Sequence, residues 1–201
     1  MSALWLLALL LFGPCADSQE DFPLESSDLF EGDITEIDSA EDRNAVTNEK
    51  RVWPEAIIPY VIDVGLSSTV SPDLVQTAMW EYGNRTCVRF VPRTASHANY
   101  IRIFSGQGCH SQVGRSRSPG MQVVSLGKGC GFLGTVLHEL GHTLGFFHEH
   151  SRSDRNQWIT IFWENIREGK PPHFPPFDPG NCPQLVRNSV VRKLSNCFIM
   201  K

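Results

Sequence analysis

The 201-residue chain has no apolar run long enough to cross a bilayer. Its longest, ALWLLALLLF at residues 3–12, is about half of the roughly 20 residues that a membrane helix needs. Basic residues clustered beside aromatic ones are also missing; the bases are scattered, which argues against nucleic acid as a partner. Bases are scarcest near the start, where residues 19–43 hold ten Asp and Glu against Arg43 alone. From residue 44 the balance reverses, with 17 Lys and Arg against 11 Asp and Glu. Beyond Cys15 the cysteines are odd in number: Cys87, Cys109, Cys130, Cys182 and Cys197 cannot all pair within one chain.

What is present at the start reads as a secretory precursor. The short apolar run is followed by small residues at Ala16 and Ser18, the pattern a signal peptidase uses. Residues 1–18 are therefore expected to be a signal peptide, with cleavage after Ala16 as the alternative. The product is expected to be secreted and extracellular, with no membrane attachment once the signal is removed. The acidic stretch 19–43 ahead of a basic body suggests an intramolecular partner; its ordinary reading is a solvated linker.

The body carries the signals of an α+β fold. Ser71-Pro72 is a cap and first-turn pair, and Leu74, Val75, Ala78, Met79 and Tyr82 recur at helical spacing, which predicts an amphipathic helix over 72–83. Residues 56–62, 87–91, 100–104 and 122–126 are rich in β-branched and aromatic residues and bounded by Gly, Pro or Asn, so they read as strands. A second helix is expected over 132–144. Asn84-Arg85-Thr86 is an N-glycosylation triplet just after the first helix.

That second helix carries the chemistry, in the run HELGHTLGFFHEHSRSDR at 138–155. His138 and His142 are four residues apart and project from one helix face. Gly145 tolerates a left-handed conformation, so it can end the helix and return the chain toward His148. Three neutral imidazoles hold a Zn²⁺ ion with a coordination position left for water, the arrangement of a catalytic site rather than a closed structural one. Zinc lowers the pKa of its water from 15.7 to roughly 7 and polarises a carbonyl. Glu139, next to the first ligand, is expected to be the general base rather than a ligand.

The run H-E-x-x-H-x-x-G-F-x-H-E, followed by S-R-x-D-R, resembles the astacin branch of the metzincin zinc endopeptidases. The similarity extends to IIPYVID (57–63), TCVRFVPR (86–93), YIRI (100–103), GCHSQVGR (108–115), QVVSL (122–126) and ITIFWENI (159–166), and covers residues 44 to about 168. It implies a zincin-like N-terminal subdomain, a twisted mixed sheet backed by two helices, in which strand 122–126 lies near the cleft and pairs with an extended substrate. One zinc ion per chain, a protein or peptide substrate and an activating trypsin-like protease follow from the same resemblance.

The resemblance also assigns roles outside the zinc run. Phe30-Glu31-Gly32-Asp33 matches the F-x-G-D element of astacin propeptides, whose aspartate blocks the zinc's water position, so Asp33 would keep the enzyme latent within a 19–43 propeptide. Arg43-Asn44 fits the activating cut, with Lys50-Arg51 as a competing site. The freed amino terminus would pair through water with Glu149. Cys109–Cys130 matches a family disulfide, while Cys87 is left free or paired with Cys182 or Cys197. The family's S-x-M-H-Y Met-turn does not follow Glu149; residues 169–201 form a proline-rich tail, and the C-terminal subdomain is expected to be largely missing. His173 in that tail reads as a solvated loop residue. The sequence thus predicts a secreted zinc endopeptidase made as a zymogen, with a non-catalytic zinc-binding fragment as the alternative.

Overall fold

The structure, a computed structural model, describes residues 28–35, 45–46, 48–151, 155–157, 159–160 and 162. Five strands form one sheet: β1 (Ile57–Ile62), β2 (Arg89–Pro92), β3 (Asn99–Phe104), β4 (Cys109–Ser111) and β5 (Gly120–Leu126). Their spatial order is β2-β1-β3-β5-β4. The first four run parallel, and β4 pairs antiparallel to β5 at the edge, with Cys109 opposite Leu126 and Ser111 opposite Val124. The sheet is therefore mixed, as expected.

Two helices complete the architecture. In α1 (Pro72–Arg85) the Ser71 side chain accepts from the Asp73 N–H and Pro72 opens the first turn, the cap and start that the sequence predicts. The helix runs two residues past the expected 83, until the Thr86 hydroxyl donates to the carbonyl of Tyr82 at 2.7 Å. α2 (Leu133–Leu144) ends at Gly145, whose φ of 110° places it in the left-handed region.

Period-two alternation fills the core from one face of the sheet. Ile58, Ile101, Ile103, Val124 and Leu126 point to that face and meet Val75, Ala78 and Met79 of α1 and Val136, Leu140 and Leu144 of α2 in a single cluster. Each fully buried Ile, Leu or Val there contributes about 1.5–3 kcal/mol. The core thus clamps α2 against the sheet and fixes where its opposite face can point. The disulfide Cys109–Cys130 is present and ties the edge strand to the segment that enters α2.

A second, smaller cluster joins Ile34, Ala45, Val46, Val52, Val113 and Phe147. It draws the acidic segment and the start of the body onto the loop that follows α2. The N–H of Val46 donates to the carbonyl of Gly145 at 2.8 Å, which holds the same loop from the other side.

Among the described residues, no helix is long and apolar enough to cross a membrane. The expected signal peptide, Arg43, Asn44 and the 169–201 tail with Cys182, Cys197 and His173 lie outside the described residues. Cys87 is disulfide-bonded, to a partner that also lies outside them.

Candidate metal centre

Helix geometry stacks two imidazoles before any other contact is needed. His138 and His142 lie one turn apart on α2, their ring centroids 4.5 Å from each other and their planes near perpendicular. Gly145 then reverses the chain, Phe147 is buried in the smaller cluster, and His148 is delivered back to the same point. His138 Nε2 stands 3.0 Å from His142 Nε2 and 3.2 Å from His148 Nε2.

The fourth member comes from the acidic segment. Asp33 Oδ2 lies 2.9 Å from His138 Nε2, 3.1 Å from His148 Nε2 and 3.5 Å from His142 Nε2. Main-chain pairing puts it there. The N–H of Ser111, at the end of β4, donates to the carbonyl of Asp33 at 2.9 Å, and the N–H of Thr35 donates to the carbonyl of Ser111 at 3.1 Å. The segment thus meets the sheet edge through one parallel bridge, Ile34 opposite Ser111, which sets the register of its side chains against β4.

With all three rings neutral, these four atoms cannot all satisfy one another by hydrogen bonds. His142 Nδ1 is 2.8 Å from the carbonyl oxygen of Phe146, which can only accept, so that nitrogen carries the proton. His148 Nδ1 is likewise 2.7 Å from Glu31 Oε2. In neutral rings both Nε2 atoms are then bare lone pairs. They face Asp33 Oδ2, a further acceptor, with at most one N–H from His138 to share. A cation at the centre resolves the conflict. Tetrahedral zinc with Zn–N bonds of 2.0–2.1 Å sets its donors about 3.3 Å apart, close to the separations here. The residues fit the metal, and Phe146 and Glu31 supply the outer contacts that orient ligating imidazoles.

Electrostatics of the chain's own groups point the same way. Burial raises the Asp33 carboxyl, but hydrogen bonds from His138, His142 and His148 outweigh it and hold the group far below the usual carboxylate range. Burial pulls the His148 ring down, yet its bonds to Asp33 and Glu31 push it up to about 9. The centre thus draws positive charge to itself. Glu31 is also lowered, against its own burial, by His148 and Ser151.

Glu139 is 1% exposed, and its Oε2 has no hydrogen-bond partner among the described residues. Burial, reinforced by the charge of Asp33, pushes its carboxyl up to about 9. Beside the cluster lies an open cavity of about 430 Å³, lined by Tyr82, Leu137, His138, Gly141 and Phe146 among others. His138, His142 and His148 all line it, and His138 is the most exposed of the three, at 45% of its side chain.

The structure brings His138, His142, His148, Glu139 and Asp33 together. Glu149 sits outside the cluster, exposed at the start of a single 3-10 turn, Glu149–Ser151. Asn84 is exposed in the last turn of α1 rather than beyond it, and Thr86 of its triplet is buried by its capping bond. The expectation that strand 122–126 offers its edge to a peptide is corrected. β5 is flanked by β3 along most of its length and by β4 at Val124–Leu126, so the open edge belongs to β4. Sequence reading missed β4, Glu31 and Ser151. The signal for Glu31 was its place two residues before Asp33 in the same short motif.

Comparison with known proteins follows the same lines. A family model described as Astacin, a peptidase family, matches residues 45–186, past residue 168 where the motif resemblance ended. Zinc metalloproteinase nas-15 of Caenorhabditis elegans is 44% identical over 142 residues, 71% of this chain and 24% of that protein. Astacin-like metalloprotease toxin 1 of Loxosceles intermedia is 40% identical over 176 residues, 84% of this chain and 66% of that one. Meprin A subunit beta of Homo sapiens is 43% identical over 147 residues, 73% and 20% respectively. The chain therefore spans between a fifth and two-thirds of the length of these relatives. Among solved structures, high choriolytic enzyme 1, a hatching enzyme zinc-protease from Oryzias latipes, is similar at 34% identity and a TM-score of 0.47, covering 66% of this chain and 64% of that chain.

Proposed function

The chain belongs to the astacin family of peptidases, and on that premise we propose that it is a secreted zinc endopeptidase made as a zymogen. The observation that carries this reading is the convergence of three imidazole Nε2 atoms and the Asp33 carboxylate on one point, with no arrangement of protons that satisfies them as neutral groups. His138, His142 and His148 hold one zinc ion, and Asp33 is the latch that excludes water from it.

When bound, the zinc supplies Lewis-acid polarisation of a carbonyl and a water of lowered pKa. The remaining work falls to the chain. Glu139 Oε2 takes the proton of the attacking water and passes it to the leaving amine. In the latent chain that role is blocked, because Asp33 occupies the position of the attacking water and leaves Glu139 no proton to take. Removal of the prosegment takes away the competing negative charge and the occupant of the β4 edge together. The N–H and C=O of Ser111 are then open to an extended protein or peptide substrate.

Activation is a cut at Arg43-Asn44 by a trypsin-like protease, after which the new amino terminus pairs with Glu149. In support of this reading, Ala45 and Val46 are fully buried and pair with Phe146 and Gly145, a few residues before Glu149 in the sequence. Asn84 is a glycosylation site exposed on α1.

The test expresses the full chain, removes the prosegment with trypsin, and measures zinc content and peptide hydrolysis beside Glu139→Ala. One zinc per chain is expected in both, with hydrolysis about 10²- to 10⁴-fold lower in the variant. Bound zinc without hydrolysis in the wild type would sink the peptidase reading and leave a zinc-binding protein.

A further inference from the structure

The acidic segment places two carboxylates at the metal centre, and the latch uses one. Glu31 has no part in blocking the zinc's water position, yet it is 8% exposed and its side chain is turned to the loop that delivers the third ligand. Its Oε2 accepts from His148 Nδ1 at 2.7 Å, and its Oε1 accepts from the Ser151 hydroxyl. The ring of His150 stacks on His148 at 5.1 Å and reaches to 3.9 Å from Glu31 Oε2. The backbone at this position is itself unfavourable. Glu31 has a φ of 51°, a left-handed conformation that costs a non-glycine residue about 1–2 kcal/mol. A glycine would avoid that cost, so the side-chain contacts of Glu31 offset it.

The imidazoles differ in what holds them. His142 Nδ1 is fixed by the carbonyl of Phe146, four residues along the same loop. His148 Nδ1 is fixed by a residue 117 positions earlier, in the segment that activation removes. Loss of that segment takes away the Asp33 oxygen at the metal centre and, in the same event, the acceptor that aims His148 at it.

We propose that Glu31 is a positioning residue for zinc in the latent form, holding His148 Nε2 on the metal so that the uncleaved chain retains zinc longer than the activated one. This rests on the reading that the three histidines bind zinc and that the acidic segment is a removable prosegment. The segment is then a metal-retaining device as well as a latch. Outer partners of this kind are worth roughly 10- to 100-fold in metal affinity.

The experiment loads the full chain with zinc, adds an excess of a chromogenic zinc chelator, and follows zinc release by its colour for wild type, Glu31→Gln and Glu31→Ala, before and after prosegment removal. Glu31→Ala should release zinc about 10- to 100-fold faster than wild type before cleavage. Glu31→Gln should fall between them, since its amide oxygen still accepts from His148. After cleavage all three should release at one common, faster rate, because residue 31 has left the protein. Equal rates before cleavage would overturn the proposal. So would a difference that survives cleavage, which places the defect in folding of the body. A wild type that binds zinc but releases it no faster after cleavage overturns this inference and spares the proposed function; a wild type that binds none fails both.

Discussion

Ser111 donates its backbone N–H to the carbonyl oxygen of Asp33 at 2.9 Å, so the residue that ends the edge strand sets the position of the latch carboxylate. The main chain does the placing and the side chain does the blocking. Asp33→Asn separates the two, since it keeps the ladder and removes the charge facing three histidines. A hydrogen bond to a charged group is worth about 1.5–3 kcal/mol. The uncleaved variant should therefore hydrolyse peptide about ten- to hundredfold faster than the uncleaved wild type. A rate that stays at the wild-type level would assign latency to the ladder alone.

Gly145 is the hinge on which the third histidine returns. At a φ of 110° an added β-carbon is penalised by at least about 1–2 kcal/mol, and relaxing that strain moves His148. Gly145→Ala should lower both the urea midpoint and zinc affinity. Gly134→Ala is the control within α2, because nothing lies within 4 Å of the added carbon. It should stabilise by about 0.5–1 kcal/mol and leave zinc binding unchanged.

The Cys109–Cys130 disulfide closes a loop with a sequence separation of 21, worth about 3 kcal/mol in the chain-entropy model. Replacing both cysteines with serine should lower unfolding free energy by that amount in a denaturant titration. Because Cys109 begins β4, prosegment docking should also weaken, read as faster tryptic removal of residues 19–43.

Tyr82 links α1 to the zinc helix through its hydroxyl, which donates to the carbonyl of Leu137 at 2.9 Å. Burial pushes this phenol up to about 12. The unfolded chain ionises first, near pH 10, so the stability Tyr82 supplies is intact below pH 10 and is lost as pH rises toward 12. Tyr82→Phe should cost about 1 kcal/mol at neutral pH and flatten the alkaline loss of thermal stability. An unchanged alkaline profile would show that other groups govern it.

The zinc run was legible because its geometry is local. A four-residue spacing on a helix sets His138 and His142 together, and one glycine turn supplies His148. Strands β1, β2, β3 and β5 were legible for a similar reason, each being long enough to show its composition. β4, three residues long, is too short for a period of two to register. The edge was consequently assigned to β5. The partnership of Glu31 with His148 and Ser151 spans 117 and 120 positions, and no spacing rule reaches that far. The end of α1 was placed early because its apolar stripe stops at Tyr82, whereas the cap that ends the helix is Thr86.

By itself the sequence determined the donor set, because side chains one helical turn apart meet whatever surrounds them. It also determined the charge opposition between residues 19–43 and the body. Only the tertiary structure decided that Glu31 joins Asp33 at the metal centre, by its contacts with His148 and Ser151. A chain segment reaches a distant site by pairing with a sheet edge and burying an anchor, here Ile34. Those contacts are satisfied only when β4, α2 and the loop at Gly145 are already packed around one core.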